Sequence, residues 1–588
     1  MNVLTKLQAA FREALAGLAD DPAPYVAMVK PTADARHGDY QANCAMSLAK
    51  ALKRKPPEVA REIIDRLPLG DWLQKPEIAG PGFINVRLRD DWLARQLRAV
   101  ASDERLGVEA ASPARTYVVD YSSPNVAKPM HVGHLRSTII GDALARLLRF
   151  LGHAVITDNH LGDWGTQFGI LLYGYKHFLN KEAFEADPVR ELARLYVHVR
   201  GLMKGGDEED AVDPVAEACR QETAKLHAGD PENVRLWQTF MPYCLEEIDR
   251  IYRRLDVRFD HTLGESFYNP MLPDVVRDLE AKGIAEPSEG AVVIFLKEDE
   301  PPALIRKRDG AFTYTTTDLA TVRYRVTEWH ADAVLYAVDA RQALHFRNLF
   351  DAARRWGYDR VELRHISFGS VLGRDRKPFA ARAGGAPELS ELLDEAVRRA
   401  GEVYRANRDA ALERGEESPD LTPEELRRVT EAVGLGAVKY ADLSQNRTSD
   451  YVFDWDKMLA MDGNTATYMQ YAYARVHGIF RKGNVSPESL RADPPAPSLG
   501  TPHERALAVQ LLRLSEALGA AAAEYVPNAI TAYLWDLAKT YSGFFQNCPV
   551  LRAETDELRA GRLLLCDLTG RTIGRCLDLL GIRAMERI

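Results

Sequence analysis

The sequence predicts a multi-domain α/β protein: an α+β N-terminal domain, a parallel-sheet domain with a helical insertion, and an all-α C-terminal bundle. Three observations carry that expectation. Residues 116–157 read as strand, loop, helix and strand within about 40 residues, which is a βαβ unit and implies parallel pairing. A charged amphipathic stretch at about 180–287 separates the strand candidates before it from those after it. From Leu389 onward strand-like runs are scarce and apolar residues recur at helical spacing. A chain of 588 residues is long enough for three to five domains of about 150 residues each.

Residues 1–112 read as one α+β module. Leu4, Leu7, Phe11, Leu15 and Leu18 keep helical spacing, and Gln41–Leu52 and Pro57–Leu67 are further helix candidates, the second with Pro in its first turn. Phe83–Leu88 alternates as a strand does, and Ala101–Ala114, with Gly107 and Pro113, reads as a connector. The parallel-sheet domain, 113–388, opens on the β-rich run Thr116–Tyr121. A helix follows from about Leu135, its Leu135, Ile139, Ile140, Leu144, Leu147, Leu148 and Leu151 on a single face, and Ala154–Thr157 is the next strand. Ala291–Leu296, Ala333–Val338 and His365–Val371 are the remaining strand candidates. Residues 389–463 read as a helical stem and 464–588 as a helical bundle, with the proline-rich Gly483–Thr501 as an exposed loop between two helices.

Composition narrows the class. The six cysteines have no C-x-x-C spacing, so neither structural zinc nor a disulfide framework is expected. The N-terminal stretch carries Lys6, Arg12 and Glu13 within its apolar pattern and lacks the core of a signal peptide, and no apolar run approaches about 18 residues; a cytoplasmic protein without membrane spans is expected. The formal charge is −9, from 76 Lys and Arg against 85 Asp and Glu, which at face value disfavours nucleic acid, although the field in a groove matters more than the total.

The richest chemistry is His131-Val-Gly-His134, where the first strand hands over to its helix. Such crossovers bind nucleotides, because the helix start offers free N–H groups and a positive dipole to phosphate. Gly133 leaves room for a flat base or ribose, and the two imidazoles can donate to phosphate oxygens as charge builds on them. Two histidines capping a helix would look the same in sequence.

The longer stretch Ser122–Thr138, SSPNVAKPMHVGHLRST, resembles the first signature of class I aminoacyl-tRNA synthetases, and more narrowly that of the arginyl-tRNA synthetase family. His160–Gly169, Gly373–Gly385 and Tyr468–Arg475 are similar to the same family, in one order along most of the chain. The resemblance implies a Rossmann-like catalytic domain and an arginine–tRNA ligase. It would activate L-arginine with ATP, accompanied by Mg²⁺, to arginyl-adenylate, and transfer the arginyl group to the 3′-terminal ribose of tRNA(Arg). It implies ATP contacts from His131, Gly133, His134, Lys377 and Arg382, and catalytic roles for Lys128, His131, His134 and Lys377. It implies arginine contacts from Asp120, Asn125, His160, Tyr314, Asp318 and Gln342. Residues 464–588 would bind the anticodon through Tyr468, Tyr471, Arg475, Phe544 and Arg587, residues 1–112 would contact the tRNA elbow, and the chain would act as a monomer.

One departure stands out. Ala380 occupies the place where the family commonly has a second lysine, and Lys128, just before the histidines, fits the place of a compensating cation. Two other readings stay open: a catalytically impaired paralogue acting as an RNA-binding protein, which rests on Ala380, and a class I enzyme for another amino acid such as cysteine, which the lack of zinc-type clusters and the presence of Tyr314 and Asp318 oppose. For Trp164 and Asp163, core packing and turn formation compete with a place in the active-site wall.

Overall fold

The computed structural model describes residues 2–32, 34–203, 213–297, 300–377, 387–415 and 421–588. At its centre lies a four-stranded parallel sheet of β1 (Thr116–Tyr121), β2 (Ala154–Asp158), β3 (Ala333–Ala337) and β4 (Glu362–His365), ordered β4-β3-β1-β2. Helix α1 (Val132–Phe150) crosses from β1 to β2, and α2 (Tyr314–Thr327) feeds β3, which returns to the opposite side of β1. The winding direction therefore reverses between β1 and β3, and a crevice opens beyond their carboxyl ends, the position where such sheets take ligands. Val118 and Val119 of β1 and the whole of β3 are buried, as befits strands covered on both faces.

Helix α1 begins at Val132 rather than Leu135, because His131 caps it. Its apolar stripe is not its one buried face. Arg136, Ser137, Thr138 and Asp142 are buried too, since the sheet, the stem and the C-terminal helices all pack against it.

The insertion is larger than the sequence suggests. It runs from the end of β2 to the start of α2 and carries the helices Thr166–Phe178, Pro188–Leu202, Pro214–His227 and Pro231–Leu255. It also contains an antiparallel three-stranded sheet of Glu286–Ser288, Ala291–Ile294 and Ala303–Arg306. The strand candidate at Ala291 thus belongs to a local hairpin closed at Gly290, where φ is +83°, and not to the parallel sheet. The candidate His365–Val371 is split: His365 ends β4, and Val371–Leu372 pairs instead with Tyr451–Val452 of the stem region.

In the N-terminal module a helix, Val3–Leu15, packs on a four-stranded antiparallel sheet. The expected helix from Gln41 starts only at Cys44, because Tyr40–Ala42 is drawn into pairing with Ile84–Val86. The stem comprises α3 (Leu389–Glu413) and α4 (Pro423–Leu443). The bundle comprises α5 (Ala466–Gly483), α6 (Pro502–Leu512), α7 (Leu514–Ala523), α8 (Asn528–Asn547) and α9 (Asp556–Leu579). The Gly483–Thr501 segment is not a bare loop. It holds a short helix, Pro487–Ala492, and Arg491 reaches the buried Asp567 at 2.6 Å.

The module and the bundle are clamped together. Arg505 grips Asp39 with both terminal nitrogens at 2.8 and 2.9 Å, and the Tyr40 hydroxyl donates to Glu516 at 2.6 Å. The helical stretch Pro502–Ala523 is long and apolar enough to cross a membrane by composition, but half of that stretch is buried inside the protein and it supplies this clamp.

Candidate active site

The chain leaves β1 through Ser122 and Ser123, both with positive φ, +71° and +49°. Left-handed backbone at residues other than glycine costs about 1–3 kcal/mol each. Buried hydrogen bonds offset it: Ser122 N–H donates to Ser137 Oγ at 2.8 Å, the Ser122 hydroxyl meets Thr138 Oγ1 and the Tyr252 hydroxyl at 2.8 Å each, and Ser123 N–H donates to Asn159 Oδ1 at 3.1 Å. The turn throws the loop over the start of α1.

There the histidines form a reciprocal cap. Gly133 N–H donates to His131 Nδ1 at 3.0 Å, and His131 N–H donates to His134 Nδ1 at 3.1 Å. Both Nδ1 atoms are acceptors, so the neutral rings carry their protons on Nε2, and both Nε2–H groups are donors. Burial holds His134 far below the usual histidine range, at about 3, and lowers His131; the charge of Lys128 depresses both. Capping and ligand-donor readings are therefore compatible: the cap selects the tautomer. A Cβ on Gly133 would lie 2.7 Å from the His131 ring, so the space expected to admit a base is filled by that ring. Lys128 is exposed, its ammonium 5.9 Å from the Tyr196 ring.

The described residues that flank the second basic loop lie against the same helix start. Lys377 is exposed at the end of a tight turn in which Gly373 N–H donates to the Lys377 carbonyl at 2.8 Å. Arg382 and Ala380 lie outside the described residues. Beyond them, Val132 N–H donates to the Pro387 carbonyl and Leu389 N–H to the Met130 carbonyl, so the segment re-enters directly beside His131. Arg136 of α1 anchors the outgoing side: fully buried, it donates to the carbonyls of Gly369 at 2.7 Å and Ser449 at 3.1 Å and pairs with Asp442 at 3.0 Å.

The opposite wall is acidic. Tyr314 is the first residue of α2 and two-thirds exposed, its ring edge-on to His345 at 4.8 Å. Asp318 lies one turn on; it is no helix cap, that position being Thr313, and its Oδ2 accepts from His345 Nε2 at 2.6 Å. Gln342 is exposed at the end of the turn Ala340–Gln342 beyond β3. Asn125 Oδ1 accepts from Gln167 Nε2 at 2.9 Å, and Gly162 is required there, since a Cβ would sit 2.5 Å from that oxygen. His160 leans on Tyr268 with ring centroids 5.4 Å apart. Asp120 Oδ2 accepts from Arg325, and its Oδ1 from Ser123 Oγ at 3.0 Å. Burial raises Asp163 and Glu265, and Asp163 and Asp318 raise Glu265 further by their nearness. The His160–Gly169 block also does structural work: Trp164 stacks on His227 and meets Trp237 edge-on, while Asp163 accepts from Ser266 N–H and Oγ.

Arg136, Arg325, Glu265 and His345 were not singled out in the sequence. Arg136 and Arg325 sit in apolar helical surroundings, and a long basic residue at such a position is the one available hint.

In the bundle, Tyr471 and Phe545 are exposed and Arg475 lies over both rings, at 4.8 and 5.3 Å from their centroids. With Arg587 they line a cavity of about 790 Å³ that also presents Arg481, Lys482 and Arg552. Tyr468 is half-buried and bonded to Ser542 Oγ at 2.9 Å. Phe544 is a correction: it is fully buried against Tyr541, because α8 turns that face to the bundle interior, so it cannot stack a base.

Three family models match the chain. Residues 5–88 match the arginyl tRNA synthetase N terminal domain, 96–455 the catalytic domain of class I (R) tRNA synthetases, and 469–588 the DALR anticodon binding domain. Arginine–tRNA ligases of Rhodopirellula baltica and Escherichia coli O157:H7 are 43% and 46% identical, each comparison covering 100% of both chains. Among solved structures, arginyl-tRNA synthetase from Plasmodium falciparum superposes with a TM-score of 0.82 at 28% identity, covering 100% of this chain and 99% of that one. The Thermus thermophilus enzyme gives 0.81 at 25%, covering 99% and 100%.

Proposed function

The chain belongs to the class I arginyl-tRNA synthetases, and on that premise we propose which of its side chains carry the reaction. It is an arginine–tRNA ligase that uses ATP, arginine and tRNA. In the first step the arginine carboxylate attacks the α-phosphorus of ATP and pyrophosphate leaves. In the second, a hydroxyl of the tRNA's 3′-terminal ribose attacks the carbonyl of the adenylate and AMP leaves.

Negative charge grows on the phosphoryl oxygens in the first step, so catalysis is positioning and charge stabilisation. His131 and His134 donate from Nε2 to those oxygens as neutral rings already aimed by the helix cap. The start of α1 adds the positive end of its helix dipole, its first N–H groups being held by His131 Nδ1 and the Pro387 carbonyl. Lys128, Lys377 and Arg382 supply the cations that hold the phosphates, with Lys128 compensating for Ala380. Mg²⁺ arrives with ATP as part of the substrate.

On the acidic side Asp318 and Tyr314 hold the guanidinium, a planar fork that lysine cannot reproduce. Gln342, His160 and Asn125 complete the polar contacts, and Asp120 faces the α-ammonium. In the bundle, Tyr471, Arg475 and Arg587 contact tRNA, with Phe545 taking the stacking place expected for Phe544. Tyr468 acts from the helix beside them. The protein acts as a cytoplasmic monomer, the N-terminal module reaching the tRNA elbow.

The observation that supports this reading is that the donor-bearing histidines start the helix leaving β1, and Asp120 and Asp158 end β1 and β2, where the strand order reverses. Arginine-dependent pyrophosphate exchange, measured with and without tRNA, tests it. Exchange with arginine and not with lysine is expected; no exchange under either condition overturns it. A Lys128→Ala chain should lose about 10- to 1000-fold, the range for an ammonium about 4 Å from phosphate between exposed and half-shielded surroundings. An unchanged rate removes Lys128 from the machinery.

A further inference from the structure

Arg136 and Arg325 are among the largest fully buried side chains of the described residues. Arg136 ties elements together through carbonyls. Arg325 does something different. It lies on α2, seven residues beyond Asp318, so both project from one face of that helix. A single nitrogen, Nη2, donates to Asp120 Oδ2 and to Asp158 Oδ2, each at 2.7 Å. These aspartates are register partners at the carboxyl ends of β1 and β2. On the other side of β1, Tyr336 is the register partner of Asp120, and its ring lies 5.4 Å from the guanidinium.

The network is unfinished. The Tyr336 hydroxyl faces the guanidinium, while Arg325 Nε, Asp158 Oδ1, His160 Nδ1 and the Tyr268 hydroxyl are buried without a hydrogen-bond partner among the described residues. Native interiors seldom leave so many polar atoms unpaired in one place. They surround a pair of carboxylates that would repel each other and share a proton if the guanidinium were removed.

We propose that Arg325 is a positioning residue for substrate arginine: its internal guanidinium offsets one of the two charges of the Asp120–Asp158 pair, holds Asp120 toward the substrate's α-ammonium, and leaves Asp318 as the place where a second guanidinium binds. This rests on the assignment of the pocket to arginine. Without Arg325 the Asp120–Asp158 pair becomes a competing guanidinium site, and substrate arginine enters it the wrong way round. The Ser123 hydroxyl, which holds the other oxygen of Asp120, cannot prevent that, because it carries no charge.

The test uses full-length chain, tRNA and pyrophosphate exchange. Arg325→Met is expected to raise the arginine KM about 100-fold while the ATP KM stays within about threefold, and to show inhibition at high arginine. Millimolar methylguanidinium should restore part of its rate at low arginine. Arg325→Lys, which keeps the charge on a shorter, non-planar head, should fall between, with an arginine KM raised about 10-fold. Equal shifts in both KM values, or an arginine KM that does not move, overturn the proposal. If Arg325→Met does not fold, Arg325→Lys decides by the same split between substrates. An inactive parent chain would instead refute the arginine assignment itself.

Discussion

The two walls of the crevice are built by opposite means. On the side proposed for phosphate, His131 and His134 are fixed by hydrogen bonds to backbone atoms two and three residues away, and their tautomers are set within one helical turn. On the side proposed for the amino acid, Asp120, Asp158, Glu265, Asp318 and Arg325 come from β1, β2, the insertion and α2, and meet only once the fold has brought them together. The first wall donates from neutral rings; the second holds charge against charge. The difference teaches that a helix cap can fix a ring tautomer within one turn, whereas this carboxylate wall is gathered at long range around an internal guanidinium.

The largest effect should come from unbalancing the acidic wall. Asp318→Ala removes a carboxylate that accepts from His345 and that we propose holds the guanidinium, and would leave that site without its counter-charge. The kcat/KM for arginine should fall about 10³-fold, with little change in the ATP KM. An equal loss against both substrates would show that Asp318 supports α2 and not the substrate, and the contrast between the walls would fail.

The phosphate wall should respond differently. His134→Ala removes a preorganised donor and should slow exchange about 100- to 1000-fold, mostly in kcat. His134→Asn, which can also accept from the His131 N–H and donate from its amide, should recover part of that loss, whereas His134→Lys should not. The rings are neutral donors, so exchange should show no inflection near pH 6.5 attributable to His134, which burial holds at about 3. Stability has the matching sign. The unfolded histidine takes up its proton near 6.5 and the folded one near 3, so the His134 contribution is complete above 6.5 and is lost as pH falls toward 3. Acid melts of His134→Asn should therefore be flatter across that window. A steeper acid loss in the variant would mean that the wild-type ring is charged.

The same contrast explains what could be read in advance. The βαβ unit and the histidine motif were legible because their signals are local: a β-rich run, a helix with an apolar stripe and turn residues between. The start of α1 was misjudged by three residues because the motif itself forms the cap. The hairpin strand at Ala291 was visible, but its partners were not, since an apolar run does not reveal whether it pairs in parallel or antiparallel. Arg325 was invisible because nothing about an arginine on a helix announces that two aspartates, 205 and 167 residues away, converge on it. Nothing local to Asp39 and Tyr40 announces their clamp to Arg505 and Glu516, which joins opposite ends of the chain.

The smallest effect belongs to the bundle, and it extends the comparison to RNA. Tyr471 and Phe544 are both aromatic residues read as tRNA contacts, and one is exposed while the other is buried. Base stacking on an aromatic contributes about 1–3 kcal/mol, so Tyr471→Ala should raise the tRNA KM about 10-fold and leave thermal unfolding almost unmoved. Phe544→Ala opens a cavity in the bundle and should cost about 3–5 kcal/mol of stability while changing the tRNA KM little in the fraction that stays folded. Because Arg475 bridges the Tyr471 and Phe545 rings, the Tyr471→Ala and Phe545→Ala effects should be less than additive. Additive losses would mean that the two rings meet the RNA independently and that the guanidinium between them does not couple them.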